Sequence, residues 1–576
     1  MTLLIDGEPH EPISRTRGLG SPGDGDPVPN AWQRARSAIA GHDAVVGWCA
    51  TILVTAFAFV MRLWHLGTPR EFEFDETYYA KDAWSLLHFG YARDYVDGAN
   101  QKILDGTTTG IFKDTPEMIV HPEVGKWMIA LGEKVFGMDP TGWRISSAIA
   151  GALLIMVLIR LVRRLSGSTL LGCVAGVLLC FDGLEFVLSR LALLDIFVAL
   201  FTLSAVSCLV ADRDWYRNRL ATRLHGPATG WGPRVLWRPW LLASGLLWGL
   251  AIGTKWTALV PLAAFGILVW LWSAGARRSF GVRWALPKSV IADGIPAFFH
   301  LVVVAAFVYV ASWGGWLAHA DVYVKNLSST QYTHYTGHGK CDGETWVATD
   351  PDNTKKWPTA TEPDKSGVAG VVQDLRSLYY YHRDVQTFHT HFLNCATHTY
   401  ASKPSGWLIL NRPVGVAADT GIKPGAVSGD QTCPADANPD CLRQVLLLGT
   451  PALWWGGVVG LLFAVVMWVV KRDWRFGVAV VGVAASWLPW FLYDDRPIFS
   501  YYAIVALPFT VVALALGIGH LIGPARSGRR RIIGTAIAGT FVIAVVANFA
   551  WFWPIYTNGL LTHQEWLQRI WFSRWI

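Results

Sequence analysis

Apolar residues in this chain come in long runs broken by short polar segments, with neither the two-residue period of a half-buried strand nor the stripe of a surface helix. The run from Ala44 to Leu63 is about 20 residues long, the length a helix needs to cross a hydrocarbon core of roughly 30 Å. Comparable runs follow at 142–162, 168–186, 190–210, 239–255, 258–274, 291–316, 446–470, 475–492, 499–522 and 532–553, which together predict about 11 transmembrane helices. The predicted fold is therefore an all-α polytopic membrane protein. Residues 1–44 are rich in Gly, Pro and Asp, with no cleavable signal, and predict a disordered cytoplasmic tail. Residues 45–316 hold spans one to seven, including a first polar loop over 66–141; a long polar segment, 317–445, precedes spans eight to eleven over 446–555, and a tail, 556–576, closes the chain. Within the long segment, 348–370 is polar enough to predict mobility.

Composition agrees: 52% of residues are hydrophobic, 16% are charged, and 31 are Trp, as expected of apolar spans with interfacial aromatic belts. The formal charge of +7 lies in short clusters between runs and not on one nucleic-acid-binding patch. The clusters are Arg34 and Arg36; Arg160, Arg163 and Arg164; the arginines from Arg213 to Arg238; Arg277 to Lys288; Lys471 to Arg475; and Arg526 to Arg531. With an odd number of spans all fall on one side, so the positive-inside rule predicts a cytoplasmic N-terminus and an extracytoplasmic C-terminus. Loop 66–141, segment 317–445 and the tail then face outward. Cys49, Cys173, Cys180 and Cys208 lie in spans as small apolar fillers, whereas Cys341, Cys395, Cys433 and Cys441 share the outer segment, where disulfides form. Of the possible pairings, Cys433 with Cys441 is favoured because CPADANPDC keeps the partners close.

Directly after the first span comes EFEFDETYYAKDAW, carboxylates set among aromatics at the membrane surface. Acid there is costly, which makes Asp75 and Glu76 candidates for catalysis, Asp75 as a general base. The pair also reads as a helix cap, and the two roles are compatible. Five cations remain at the outer ends of spans once the cytoplasmic clusters are assigned: Lys126, Arg144, Arg190, Lys255 and Arg496. Each alone is explained by pairing with an acid such as Asp195 or Asp494; together they point to a bound anion, a lipid phosphate whose tail stays in the bilayer. His121 opens HPEVGKW, a turn before an amphipathic helix expected from Lys126 to Phe136, and reads equally as a polar loop residue. HRDVQTFHTHF, with His382, His389 and His391, lacks the spacing of a zinc site, and there is no P-loop or dinucleotide-binding glycine pattern.

FDETYYAKDAWSL, HPEVGKWMIALGEKVFG, GWRISSAIAGALL, LSRLALLDIFVALF, GTKWTAL and RPIFSYYAIVALPF, in this order, resemble the motifs of polyprenyl-phosphate-mannose:protein O-mannosyltransferases of the actinobacterial branch. HTYASKPSGWLILNRPV and CLRQVLLLGTPALWW are similar to that branch too. The resemblance implies a GT-C-type glycosyltransferase with amphipathic helices in the first outer loop. It would move mannose, with inversion, from polyprenyl-phosphate-mannose to Ser or Thr of exported proteins at the outer face of the cell membrane. Metal and cofactor are not expected, and the export machinery is an expected partner. By the same resemblance Asp75 matches the catalytic aspartate, with Glu76 a positioning group. Arg144, Arg190, Lys255 and Arg496 match the motif cations; Lys126, His121, Asp195 and Tyr501 complete the expected donor-binding set. Two departures stand out: Glu123 replaces a usual second proline, and the 317–445 segment stands where eukaryotic members carry a soluble domain. The rivals are a sister enzyme moving another sugar, such as arabinose, to a glycan or lipid, and a transporter, which would show internal repeats and charges near the bilayer midplane.

Overall fold

The computed structural model describes residues 43–223, 230–524 and 528–576; the predicted tail up to residue 42 and Arg526 lie outside the described residues. Every apolar run is helical. Eight helices are long and apolar enough to cross a membrane, beginning with α1 (Asp43–Leu63), and three more are apolar but shorter: Thr169–Cys180, Pro239–Ile252 and Leu507–Ile522. The shorter three fall below the predicted runs for one reason: each run continues into a break. Gly183–Leu188 is a separate helix, Lys255 follows the end of Pro239–Ile252, and Ser500–Val505 is a 3-10 turn. Three buried ion pairs lie within the bundle, Arg62 with Glu185, Arg238 with Asp212 and Arg277 with Asp293, as an apolar surround favours.

The first polar loop holds α2 (Glu76–Phe89), a two-stranded pair over Arg93–Tyr95 and Phe112–Pro116, and α3 (Val124–Phe136), which starts at Val124 and not at Lys126. Gly90 stops α2 in the left-handed conformation, φ 79°, its N–H donating to the Leu86 carbonyl. The next helix, α4 (Pro140–Ser166), begins with Asp139 accepting from Gly142 N at 2.8 Å and Pro140 in the first turn. A Cβ on Gly132 would lie 2.4 Å from the Gly142 carbonyl oxygen, so α3 and α4 cross here only because the residue is glycine. That close crossing places Arg144, on α4, beneath the start of α2. The long helix α5 (Asp195–Arg223) carries Asp195 at its first position.

The 317–445 segment is folded against the first loop. Tyr91, Ala92 and Ile119 of the loop share a buried cluster with Tyr323, Trp357 and Tyr381 of the segment, the last on α6 (Gly367–Thr390). The stretch 348–370, expected to be mobile from its polarity, is anchored instead: Trp357 is fully buried and its indole N–H donates to Asp384 at 2.8 Å. Strands β1 (Val414–Ile422), β2 (Cys441–Leu447) and β3 (Leu561–Thr562) form an antiparallel sheet with β2 central, tying the segment to the chain after the last long helix. Cys433 is bonded to Cys441, and Cys341 to Cys395. All four thiols are accordingly expected to resist maleimide until reductant is added; labelling in the untreated protein contradicts these pairs.

Candidate active site

The chain enters α2 through Phe74, a non-glycine residue with φ 52°. Asp75 follows in helical conformation, and its backbone carbonyl accepts from Tyr78 N and Tyr79 N, but its side chain makes no cap bond. The expected cap is therefore absent and the carboxylate of Asp75 is left for other work. Glu76 is the opposite case. It is fully buried and accepts from Arg144 Nε at 2.9 Å, Arg144 Nη2 at 2.7 Å, Ala192 N at 2.8 Å and Glu73 N at 3.0 Å. Both of its oxygens are saturated, so Glu76 is architectural.

Arg144 does not lie free to meet a phosphate. Besides its two bonds to Glu76, it donates to the carbonyls of Leu66 at 3.3 Å, Pro69 at 2.8 Å and Glu71 at 2.9 Å, which uses every N–H of the guanidinium. Arg190 is likewise committed, to the carbonyls of Arg62, Trp64 and His65. Lys126 is buried 2.7 Å from Asp82. These three residues, expected to bind the donor, are instead committed to carbonyls or an acid around the loop that carries Asp75.

Lys255, Asp195 and Tyr501 lie beside Asp75, and Arg496 and His121 meet at His389 within reach of Lys255. Lys255 Nζ lies 2.7 Å from Asp195 Oδ2 and 5.1 Å from the Tyr502 ring centroid. The Asp75 carboxyl is pushed up to about 6 by burial, with Lys255 opposing and Asp195 adding to the rise. Tyr79 Oη approaches it at 3.5 Å, the outer limit of a hydrogen bond. Phe74 sets its ring edge-on against Phe499 and Tyr501, at 5.5 and 5.9 Å.

Arg496 has no carboxylate partner among the described residues; Asp494 pairs with Lys403 instead. One Arg496 Nη1 donates to His389 Nδ1 at 2.8 Å, and Nε is buried without a partner. Since arginine only donates, His389 Nδ1 accepts, and Nε2–H must donate to the Val120 carbonyl at 3.1 Å. Burial and the Arg496 charge lower the His389 pKa to about 4, keeping this imidazole neutral. His121 stacks on it at 5.5 Å, and burial, then Lys255, hold His121 well below its usual value. Arg496 is thus fixed by a neutral acceptor, its positive charge uncompensated.

Tyr79, Tyr502 and His389 were not picked out from the sequence as site residues. Tyr79 carried a signal, standing one helical turn after Asp75. In sequence His389 reads only as a candidate metal ligand; its role depends on α6 folding back onto the Val120 turn. His382 and His391 go elsewhere, to Tyr309 and Thr390. Among the described residues no group of three or more His, Cys, Asp or Glu is placed to hold a metal ion.

Residues 52–327 match the family model for dolichyl-phosphate-mannose-protein mannosyltransferase, and residues 375–575 match that for the C-terminal four TMM region of protein-O-mannosyltransferase. This chain belongs to the protein O-mannosyltransferase family. It is 35% identical over 542 residues to a polyprenol-phosphate-mannose–protein mannosyltransferase of Mycolicibacterium smegmatis, covering 92% of this chain and 94% of that one. The similarly named protein of Corynebacterium glutamicum is 31% identical over 531 residues, with 91% of each chain covered. The structure of the yeast Pmt1-Pmt2 protein O-mannosyltransferase complex bound to the sugar donor superposes with a TM-score of 0.63 at 15% identity, covering 92% of each chain. The fold is thus that of a GT-C glycosyltransferase, and this mannosyltransferase is a multi-pass membrane protein. Asp75, Asp195 and Lys255 fall in the first matched region, Arg496 and Tyr501 in the second, so the site is built across both.

Proposed function

We propose that this mannosyltransferase moves mannose from polyprenyl-phosphate-mannose to Ser or Thr hydroxyls of exported proteins, with inversion, at the outer face of the cell membrane. The observation that carries the reading is the juxtaposition of a proton-accepting Asp75 with the Lys255–Asp195 pair and the uncompensated Arg496. In the reaction, Asp75 takes the proton of the acceptor hydroxyl while the oxygen attacks C1 of the mannose. The bond from C1 to the phosphate oxygen breaks, and the charge that develops on the leaving lipid phosphate meets Arg496 and Lys255. No covalent sugar–enzyme intermediate and no metal enter this scheme. Arg496→Ala is expected to raise the donor KM roughly ten- to a hundredfold, the worth of one charge-assisted contact, without lowering thermal stability in step. An unchanged donor KM contradicts the role given to Arg496.

The orientation belongs to the same proposal: eleven crossings, the N-terminus in the cytoplasm, and the site, both disulfides and the C-terminus outside. Reporters fused after Arg277 and after Ser366 are expected to score cytoplasmic and external; the reverse overturns the orientation. The function itself is tested with purified protein, polyprenyl-phosphate-mannose and a Ser/Thr peptide, followed by the peptide's mass. A gain of one hexose, unaffected by EDTA, supports the reading. Transfer only to a glycan or lipid acceptor favours the sister enzyme.

A further inference from the structure

The loop that carries Asp75 has two sides. On one, Phe74 packs its ring against Phe499, Tyr501 and His398, beside the cations. On the other lies a cavity of about 760 Å³ between the loop residues 65–73 and the sheet, with walls from Thr68, Glu71, Glu73, Ala418, Asp419 and Asp430. Glu73 is only 5% exposed, yet its carboxylate accepts no hydrogen bond among the described residues. Burial and then its neighbour Glu76 push its pKa up to about 7. The carboxyl therefore opens into the cavity with no protein partner, placed to accept a hydrogen bond from a ligand there.

The charge of the cavity decides between the two substrates. Glu71, Glu73, Asp419 and Asp430 face it, and of its two arginines Arg443 is held by the Ser428 and Asn558 carbonyls and approaches Asp430 at 3.7 Å. With four carboxyls against Arg70 and Arg443, the lining disfavours a lipid phosphate more than a polypeptide. The wall on the sheet side includes residues 416–419 of β1, an outer strand of its sheet, and an extended chain can pair main-chain groups with such a strand whatever its side chains. Glu73 precedes Asp75 by two residues, a span of at most about 7 Å of chain, so a hydroxyl presented from the cavity is close to the base.

Building on the function proposed above, we infer that this cavity seats the acceptor polypeptide in an extended, neutral-to-basic stretch, with Glu73 receiving a donor from it. Donor and acceptor then reach Asp75 from opposite sides of one loop, the anion from the cationic side and the polypeptide from the acidic side.

The test uses full-length enzyme with Ala418→Trp, which fills the cavity, and Asp419→Arg, which reverses charge at its exposed rim. Peptide KM is measured at saturating polyprenyl-phosphate-mannose, and donor KM at saturating peptide. Either variant is expected to raise the peptide KM about tenfold or more while the donor KM stays within about twofold of wild type. Peptide KM unchanged in both folded variants, or donor KM rising equally, overturns the assignment. If wild-type enzyme modifies no peptide at all, the failure lies with the proposed function and not with the cavity.

Discussion

Asp75→Asn is expected to reduce mannose transfer by about 10²-fold or more, the usual worth of a positioned general base, while donor KM and thermal stability stay near wild type. The geometry makes this separation sharper than a helix cap would allow. The Asp75 side chain caps nothing, so its loss removes no backbone bond; its one hydrogen-bond partner among the described residues, Tyr79 Oη, stands at 3.5 Å. The pH profile carries the same information. With its carboxyl pushed up to about 6, Asp75 is protonated below that value and ionised above it, so wild-type turnover is expected to rise with pH through about 6. The residual activity of Asp75→Asn should lack that limb, and Glu73→Gln should keep it. Wild-type turnover by folded Asp75→Asn across the pH range contradicts the assignment.

Arg144→Ala and Glu76→Gln are expected to fail earlier, at folding. Removing one partner of a buried ion pair leaves the other charge uncompensated and costs about 3–5 kcal/mol. Here the damage spreads, because Arg144 also holds the carbonyls of Leu66, Pro69 and Glu71, and Glu76 also holds the amides of Glu73 and Ala192. Both variants should lose expression and thermal stability in proportion to activity. The double variant Arg144→Met with Glu76→Leu should recover part of the stability, since no lone charge remains buried. A stable Arg144→Ala with only a raised donor KM returns Arg144 to the donor site and contradicts this structural role.

The spans were legible because apolar runs announce themselves, and the acid segment because carboxylates beside a membrane stand out. Lys255 and Arg496 were reachable for the same reason, since cations at span ends have few structural excuses, whereas Tyr501 came only through the family resemblance. What a linear reading misses is partnership. Arg144 and Glu76 are 68 residues apart, and nothing local separates a cation held by carbonyls from one awaiting a phosphate. Lys126, Arg190 and Arg144 look like Arg496 in sequence; only the packing of α2, α3 and α4 shows which is free. The short helices escaped for a related reason, since the apolar runs pass through the breaks that place Lys255 and Tyr501. In 348–370 polarity suggested mobility, but a single buried Trp357 outweighs it.

The most direct test is the anomeric configuration of the product. One-step displacement by a hydroxyl that Asp75 deprotonates, with the lipid phosphate leaving toward Arg496 and Lys255, must invert C1, whereas a carboxylate nucleophile forming a sugar–enzyme intermediate retains it. The one-bond carbon–proton coupling at C1, measured by NMR on polyprenyl-phosphate-mannose and on the mannosylated peptide, distinguishes the anomers. Opposite configurations are the expected result; the same configuration in donor and product contradicts the mechanism built on Asp75.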